Sequence, residues 1–305
     1  MNPLLMRPGT YHRGLMLRAA EHLPSLVERL DVRRVYTDLD GTLLGPGGSL
    51  FAGPDGTVTG RPAEALRALA EAGIDVVLVS GRTRDQVREV ARTIGAAAYI
   101  AELGGLIVYR EGREERVVRS AGTTRGAGTA FEAIERSGAG GFLLDLYGGR
   151  LEPHAPWAFV PRECSMLLRG DVSVAEAAEA LSSNGYRWLE LLDNGIIPAP
   201  PGRFPALQVE QVHAYHLVPR GVSKRTAVAL DRSEVGAAIE QCIAVGDSPT
   251  DADMSFEVGA VFIVSNGLTA TREVPERENL FALEEPHGLG FAEAVLPFVV
   301  RRAAR

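Results

Sequence analysis

The sequence has almost no cysteine. Its two, Cys164 and Cys242, lie far apart within apolar runs, which excludes a disulfide scaffold and points to isolated core thiols in a reducing compartment. Long hydrophobic runs are missing too: no continuous apolar segment is long enough to span a bilayer. Arg7, Arg13 and Arg18 sit near the N-terminus, but no long apolar core with a small-residue cleavage site follows them, so no secretory signal is expected. Dense Lys/Arg runs are also lacking, and a net charge of −7 argues against a nucleic-acid partner. These absences leave a cytoplasmic protein, with neither membrane nor nucleic acid as partner, as the expectation. What is present is a globular composition of 305 residues, 46% of them hydrophobic, which can bury one large core or two smaller ones.

The stretch that organises the chain is Val35-Tyr36-Thr37-Asp38-Leu39-Asp40-Gly41-Thr42-Leu43-Leu44. A short apolar run closed by a glycine turn is a buried-strand pattern. It places Asp38 at the C-terminal end of a strand, where open α/β sheets gather their ligand sites. In an extended chain Asp38 and Asp40 face opposite ways, so a joint site requires a turn at Leu39-Asp40. Gly41 permits it and lets the amides near Thr42 approach an anion. Two acidic residues at a strand end are, by themselves, also what a solvated turn looks like.

Around this stretch the pattern alternates strand and helix. Residues 1–13 read as a loose tail, and Leu15 to Leu30 as an extra helix broken or restarted at Pro24. A Gly/Pro-rich loop over residues 45–60 follows the first strand. Next come a helix from Pro62 to Ala72, a buried strand from Ile74 to Val79 ending in Ser80-Gly81-Arg82-Thr83, a helix from Arg84 to Ile94, and a third parallel strand over Ala97-Ala98-Tyr99-Ile100 with Glu102 at its end. From about residue 110 to 210 the grammar changes to α+β: helices near 129–136 and 174–182, and strands near Gly141 to Leu146, Ser165 to Leu168 and Arg187 to Leu192. Turns are expected at Gly112, Gly148-Gly149 and Asp193-Asn194-Gly195, and Pro198-Ala199-Pro200-Pro201 reads as a rigid strap. The first grammar resumes at Ala214 to Val218. Ser223 caps a helix from Lys224 to Leu230, and the strand Cys242 to Val245 ends in Gly246-Asp247-Ser248-Pro249-Thr250-Asp251, with Met254 opening an apolar helix face. A strand at Val261 to Val264, a turn at Ser265-Asn266-Gly267 and an amphipathic helix around Phe291 to Val300 complete the chain.

The domain expectation is therefore an N-terminal helical extension (1–30), an α/β core with a parallel sheet (31–108 and 213–305), and an inserted α+β domain (109–212). A parallel sheet delivers its strand-end groups to one crevice: Asp38 and Asp40, Ser80, Lys224, and Asp247 with Asp251. Several carboxylates there repel unless a cation intervenes. Oxygen ligands without His or Cys favour Mg²⁺ over zinc.

These four groups in this order resemble the motifs of the haloacid-dehalogenase-like hydrolases: Asp38-Leu39-Asp40-Gly41-Thr42-Leu43-Leu44 the first, Ser80-Gly81-Arg82 the second, Lys224 the third, and Gly246-Asp247-Ser248-Pro249-Thr250-Asp251 the fourth. The insertion is similar to the type IIB cap of Cof-like, sucrose, trehalose and mannosyl-3-phosphoglycerate phosphatases. The resemblance covers approximately residues 33 to 270. It implies a Rossmann-like core with an inserted α+β cap, and a Mg²⁺-dependent phosphomonoester hydrolase acting through an aspartyl phosphate. It makes Asp38 the nucleophile and Asp40 the general acid and base. Asp38, Asp247, Asp251 and Asp40, through its backbone carbonyl, become the metal residues. Ser80, Lys224 and the Gly41-Thr42 amides receive the phosphoryl oxygens, and Gly81 and Arg82 join the substrate-binding set.

Two positions depart from the family's pattern. Thr250 stands where relatives usually place Asn, and Glu102-Leu103-Gly104 where many carry Glu-Asn-Gly. Substrate choice falls to the cap, with His154, Trp157, Arg162, Arg169, Trp188, Glu190 and Asp193 as candidates, of which Trp157, as aromatic platform, and Arg162 join the substrate-binding set. Each also has a plain reading, an aromatic residue as core and a charge as solvated surface. The expected substrate is a sugar phosphate or glycosyl-glycerate phosphate, met by a monomer or homodimer. A phosphomutase of the phosphomannomutase type and a non-catalytic phosphate-binding protein on the same scaffold are the rival readings.

Overall fold

The computed structural model describes residues 16–112, 114–120, 128–197, 200, 202–267 and 277–303. The expected tail at 1–13, and Pro198, Ala199 and Pro201 of the expected strap, lie outside the described residues. In chain order the elements are β1 (Leu17–Arg18), α1 (Ala19–Arg29), β2 (Arg34–Thr37), α2 (Arg61–Glu71), β3 (Asp75–Val79), α3 (Arg84–Ile94), β4 (Ala98–Ala101), β5 (Leu106–Glu111), β6 (Glu114–Arg119), α4 (Ala130–Ser137), α5 (Ala139–Leu146), β7 (Leu151–Pro153), β8 (Met166–Gly170), α6 (Val174–Ser183), β9 (Leu189–Ile196), β10 (His213–Pro219), α7 (Lys224–Val235), β11 (Cys242–Gly246), α8 (Pro249–Ala252), β12 (Ala260–Ile263), β13 (Leu280–Ala282) and α9 (His287–Ala303). They form two compact units, one of Met1–Val79, Ile94–Ala97 and Asp231–Arg305, the other of Ser80–Thr93 and Ala98–Leu230.

The first unit is a Rossmann-like layer of parallel strands in the order β1, β13, β12, β11, β2, β3. Every residue of β2 is buried, as is every residue of β11. Strands covered on both faces read as continuous apolar runs, which is why these two were visible in the sequence. Leu17–Arg18 corrects the expected helix start: they pair in parallel with Phe281 and Ala282, and α1 begins only at Ala19. Pro24 does not break that helix but lies inside it, with Ala19 and Leu26 buried to either side of it. At the other end of the chain, α9 packs so closely that a Cβ on Gly288 would stand 2.3 Å from Pro62 Cγ and 2.9 Å from Leu43 O.

A buried ion pair fastens the unit internally. Arg34 donates to Asp231 through Nε at 2.7 Å and Nη2 at 2.9 Å, and to Asp75 at 2.9 Å. Tyr36 donates its hydroxyl to the same Asp231 at 2.7 Å. The two β2 side chains that precede the first motif are thus tied to the second half of α7.

The second unit holds a β4-β5-β6 antiparallel ribbon and a separate four-stranded sheet, ordered β7-β8-β10-β9 with all neighbours antiparallel. Ile134, Leu143, Leu168, Leu181, Leu189, Leu191, Tyr215 and Leu217 make a core beneath that sheet. Three expectations change here. Gly141 to Leu146 is helical, because the buried positions of α5 are Ala139, Gly140 and Leu143, a spacing that fits a helix turn and not an alternating strand. Asp193-Asn194-Gly195 is not a turn: β9 runs through it to Ile196, with a register shift opposite His213 and Tyr215. Gly195 absorbs that irregularity at φ +96°, and its amide is taken by Asp193 Oδ1 at 2.8 Å. Finally, Ala214 to Val218 does not resume the parallel pattern but forms the centre of the antiparallel sheet, between β8 and β9. Among the described residues no helix is long and apolar enough to cross a membrane.

Candidate active site

In the first unit the end of β2 is held by β11, Asp38 N donating to Val245 O at 3.0 Å. The chain then turns sharply: Leu44 N and Thr42 N return to Leu39 O at 2.8 and 3.3 Å, and Gly41 N meets Leu44 O at 3.1 Å. Gly41 carries this turn at φ +87°, and a Cβ there would lie 2.2 Å from Asp247 Oδ2. Only glycine combines that dihedral with that approach. Asp38 is buried, and a ligand oxygen from each of Asp38, Asp247 and Asp251 lies within 4.8 Å of the others. Asp40 is exposed and its carboxylate is not part of this cluster. Thr42 is fully buried, and its Oγ1 has no hydrogen-bond partner among the described residues.

Asp251 organises the β11–α8 loop. Its Oδ2 accepts from the amides of Asp247 and Ser248 at 3.2 and 3.1 Å and from Ser248 Oγ at 2.6 Å. That commits the Ser248 proton, so the 2.9 Å contact between Ser248 and Thr250 is donated by Thr250. The departure from the expected Asn is thereby accommodated within the loop. Three like charges this close repel unless a cation stands among them. Hard oxygen donors with no nitrogen or sulfur match Mg²⁺, so the residues fit a divalent-metal site.

The sequence reading missed two groups in this unit. Asn266 donates Nδ2 to Gly41 O at 2.8 Å, and His287 brings Nδ1 to the same oxygen at 3.0 Å. Asn266 also accepts from His287 N at 2.8 Å. Asn266 was legible only as a turn residue, and His287 gave no signal; its φ of +49° is a feature that composition does not reveal.

In the second unit Ser80, Gly81 and Arg82 follow β3, and the loop after β4 braces them. Leu103 N donates to Ser80 O and Glu102 N to Arg82 O, both at 3.0 Å. The same loop reaches α7: a Cβ on Gly104 would lie 2.1 Å from Ser223 O and 3.1 Å from Lys224 N. Glu102, Leu103 and Gly104 all take positive φ, at 51°, 55° and 106°, a conformation Asn tolerates better than Leu. What secures it is the Glu102 carboxylate, 1% exposed, which accepts the amides of Glu163, Cys164 and Ser165 at 2.8, 2.9 and 2.9 Å. Lys224 is 1% exposed in the first turn of α7, and Ser223 caps that helix by accepting from Thr226 N at 3.1 Å.

The substrate-contact candidates divide. Arg162 is buried, donating to Gly81 O at 3.3 Å and to Ser165 Oγ at 2.9 Å. Arg169 is engaged by Glu152 at 2.6 Å and Ala155 O at 2.8 Å. Glu190 accepts from Gly221 N at 2.7 Å, and Trp188 packs on the small core. Trp157 is half exposed beside the exposed Phe159. His154 is pushed down to about 4 by burial and then by Arg169 and Arg162. The sequence reading passed over His216. It lies on β10, its pKa pushed well below the usual histidine value by burial and then by Arg162, His154 and Lys224.

Residues 35–125 match the haloacid dehalogenase-like hydrolase family. A phosphoglycolate phosphatase of Methanoculleus marisnigri is 29% identical over 256 residues, covering 81% of this chain and 94% of that protein. Among solved structures, Thermoplasma acidophilum 0175 superposes with a TM-score of 0.55 at 16% identity, covering 88% of this chain and 98% of the other. The Synechocystis sucrose-phosphatase, solved with sucrose and phosphate, gives 0.54 at 16% identity over 88% and 98%. At these identities the structural likeness is one of fold.

Proposed function

We propose that the chain is a haloacid dehalogenase-like hydrolase, a phosphatase of a small phosphorylated metabolite, as the match of residues 35–125, the phosphoglycolate phosphatase relatives and the acidic cluster support. The substrate is a phosphomonoester of the sugar-phosphate or glycerate type, cleaved through an aspartyl phosphate. One observation carries the reading: three carboxylates gathered within 4.8 Å beside a loop that only glycine can close.

In this proposal Asp38 attacks phosphorus, and the ester oxygen leaves as an alcohol with a proton from Asp40. Exposure suits Asp40 to exchange protons with solvent, and it next activates the water that hydrolyses the aspartyl phosphate. Ser80 and Lys224 offer a hydroxyl and an ammonium to phosphoryl oxygens, and Gly41 and Thr42 their amides. Gly81 and Arg82 shape the substrate side of that loop, while Trp157 and Arg162 remain the cap candidates within an inserted domain taken as 109–212. Asp38, Asp247, Asp251 and the Asp40 carbonyl would hold Mg²⁺, which when bound neutralises charge on the phosphoryl group and the nucleophile. Asn266 and His287 fix the Gly41 carbonyl and so the turn that follows the two working aspartates.

A second reading for the substrate is phosphoglycolate, favoured by the curated relatives of that activity. Phosphate release measured with Mg²⁺ over sugar phosphates, phosphoglycerates and 2-phosphoglycolate separates the two. Asp38→Asn is expected to lower turnover by about 10³-fold or more while far-UV circular dichroism stays unchanged. Unchanged turnover in that variant would overturn the nucleophile assignment. Transfer of phosphate within a bisphosphate, without release, would favour the phosphomutase.

A further inference from the structure

The space beside Gly81 is faced by a ring nitrogen. A Cβ on Gly81 would lie 2.9 Å from His216 Nε2 and 3.1 Å from Asn194 Nδ2. His216 is 2% exposed, and its other nitrogen, Nδ1, meets Ser165 Oγ at 3.1 Å. Which nitrogen bears the hydrogen follows from the serine. Its Oγ receives a bond from Arg162 at 2.9 Å and gives its single proton to Glu102 Oε2 at 3.1 Å, a charge-assisted bond that outcompetes a neutral acceptor. The remaining bond must be donated by the ring, so Nδ1 carries the hydrogen and Nε2 the lone pair. Nε2 has no hydrogen-bond partner among the described residues.

A nearly buried acceptor without a partner, facing Gly81, the residue after Ser80, calls for a donor. A phosphate ester brings none, and neither does a carboxylate; a hydroxyl does. We propose that His216 is a specificity residue whose Nε2 accepts a hydrogen bond from a hydroxyl of the alcohol portion of the substrate, so that phosphates of polyhydroxylated metabolites are selected over esters that lack one. The proposal rests on the phosphomonoester reading above, in which Ser80 holds a phosphoryl oxygen. Glu102 and Ser165 do not touch the substrate in this account; they are positioning residues that fix the tautomer.

The test is hydrolysis of matched pairs, glycerol 3-phosphate against n-propyl phosphate and 3-phosphoglycerate against 2-phosphoglycolate. The expected ratio of kcat/KM is about tenfold or more in favour of the hydroxylated member. His216→Phe is expected to bring the ratio near unity by lowering kcat/KM only for the hydroxylated member, and His216→Gln, which keeps an acceptor, to restore part of it. A wild-type ratio near one, or a preference that survives in His216→Phe, overturns the inference and leaves the phosphatase standing. Failure to release phosphate from any of the four esters removes both. Independently of folding in the variants, ¹⁵N spectra of the wild type should show Nδ1 protonated and Nε2 bare, and the opposite tautomer would overturn the assignment.

Discussion

Glu102 shows what one side chain can hold. Its two oxygens take three consecutive amides and a serine hydroxyl, and through them it secures three residues in left-handed backbone. An amide in its place turns a donor toward donors. Glu102→Gln is therefore expected to lower stability by about 2 kcal/mol, read as a reduced midpoint in urea with an unchanged slope. The sequence could announce Asp38, Asp247 and Asp251, because short motifs at strand ends carry their chemistry locally. It could not announce Glu102's role or the Asn266–His287 clasp, since their partners lie from about 20 to more than 240 residues away. Thr250 and Leu103 stood out as departures, yet only the geometry shows one absorbed by Ser248 and the other buried in a brace.

Elements were legible in proportion to how much of their pattern is local. The fully buried strands β2 and β11, and β3 beyond its exposed first residue Asp75, announce themselves as apolar runs. The short α5 does not, because eight residues rich in Gly and Leu fit strand and helix equally until the burial of Ala139, Gly140 and Leu143 decides. The Asp-Asn-Gly of β9 is a good turn sequence that the neighbouring β10 converts into a bulge. The segment just after β7 carries a testable electrostatic feature. His154 Nδ1 is buried without a hydrogen-bond partner among the described residues, and the folded pKa near 4 lies below the ordinary 6.5. Between those values the unfolded chain holds a proton that the folded one does not, so stability is full above about pH 6.5 and falls as the pH drops toward 4. His216 acts in the same direction. Urea unfolding at pH 7.5 and pH 5 is expected to show a larger loss in the wild type than in His154→Gln.

For the whole molecule, a divalent ion held by the acidic cluster would couple metal binding to folding. At a Mg²⁺ concentration of about 100 times Kd, binding adds roughly 2.7 kcal/mol, a rise in Tm of several degrees by thermal melting. Asp247→Asn should melt higher than the wild type in chelator, having lost a repulsive charge, and gain little from Mg²⁺. Equal metal shifts in the two proteins would place the ion elsewhere. The pairing of a parallel α/β layer with a second antiparallel sheet was readable from the change in grammar near residue 110, whereas the sheet to which β10 belongs was not: one strand's sequence carries no record of its neighbours. The clasp of Arg34 and Tyr36 on Asp231 has an evolutionary corollary. The first unit breaks off at Val79, on a strand paired with β2, returns briefly at Ile94–Ala97, and resumes at Asp231, bonded to β2. Both outer cut ends are thus fastened to β2, the strand that leads into Asp38, so most of the sequence between them can drift, lengthen or be replaced by recombination without loosening that aspartate. Such an arrangement lets a lineage rework the second unit while the first stays as it is.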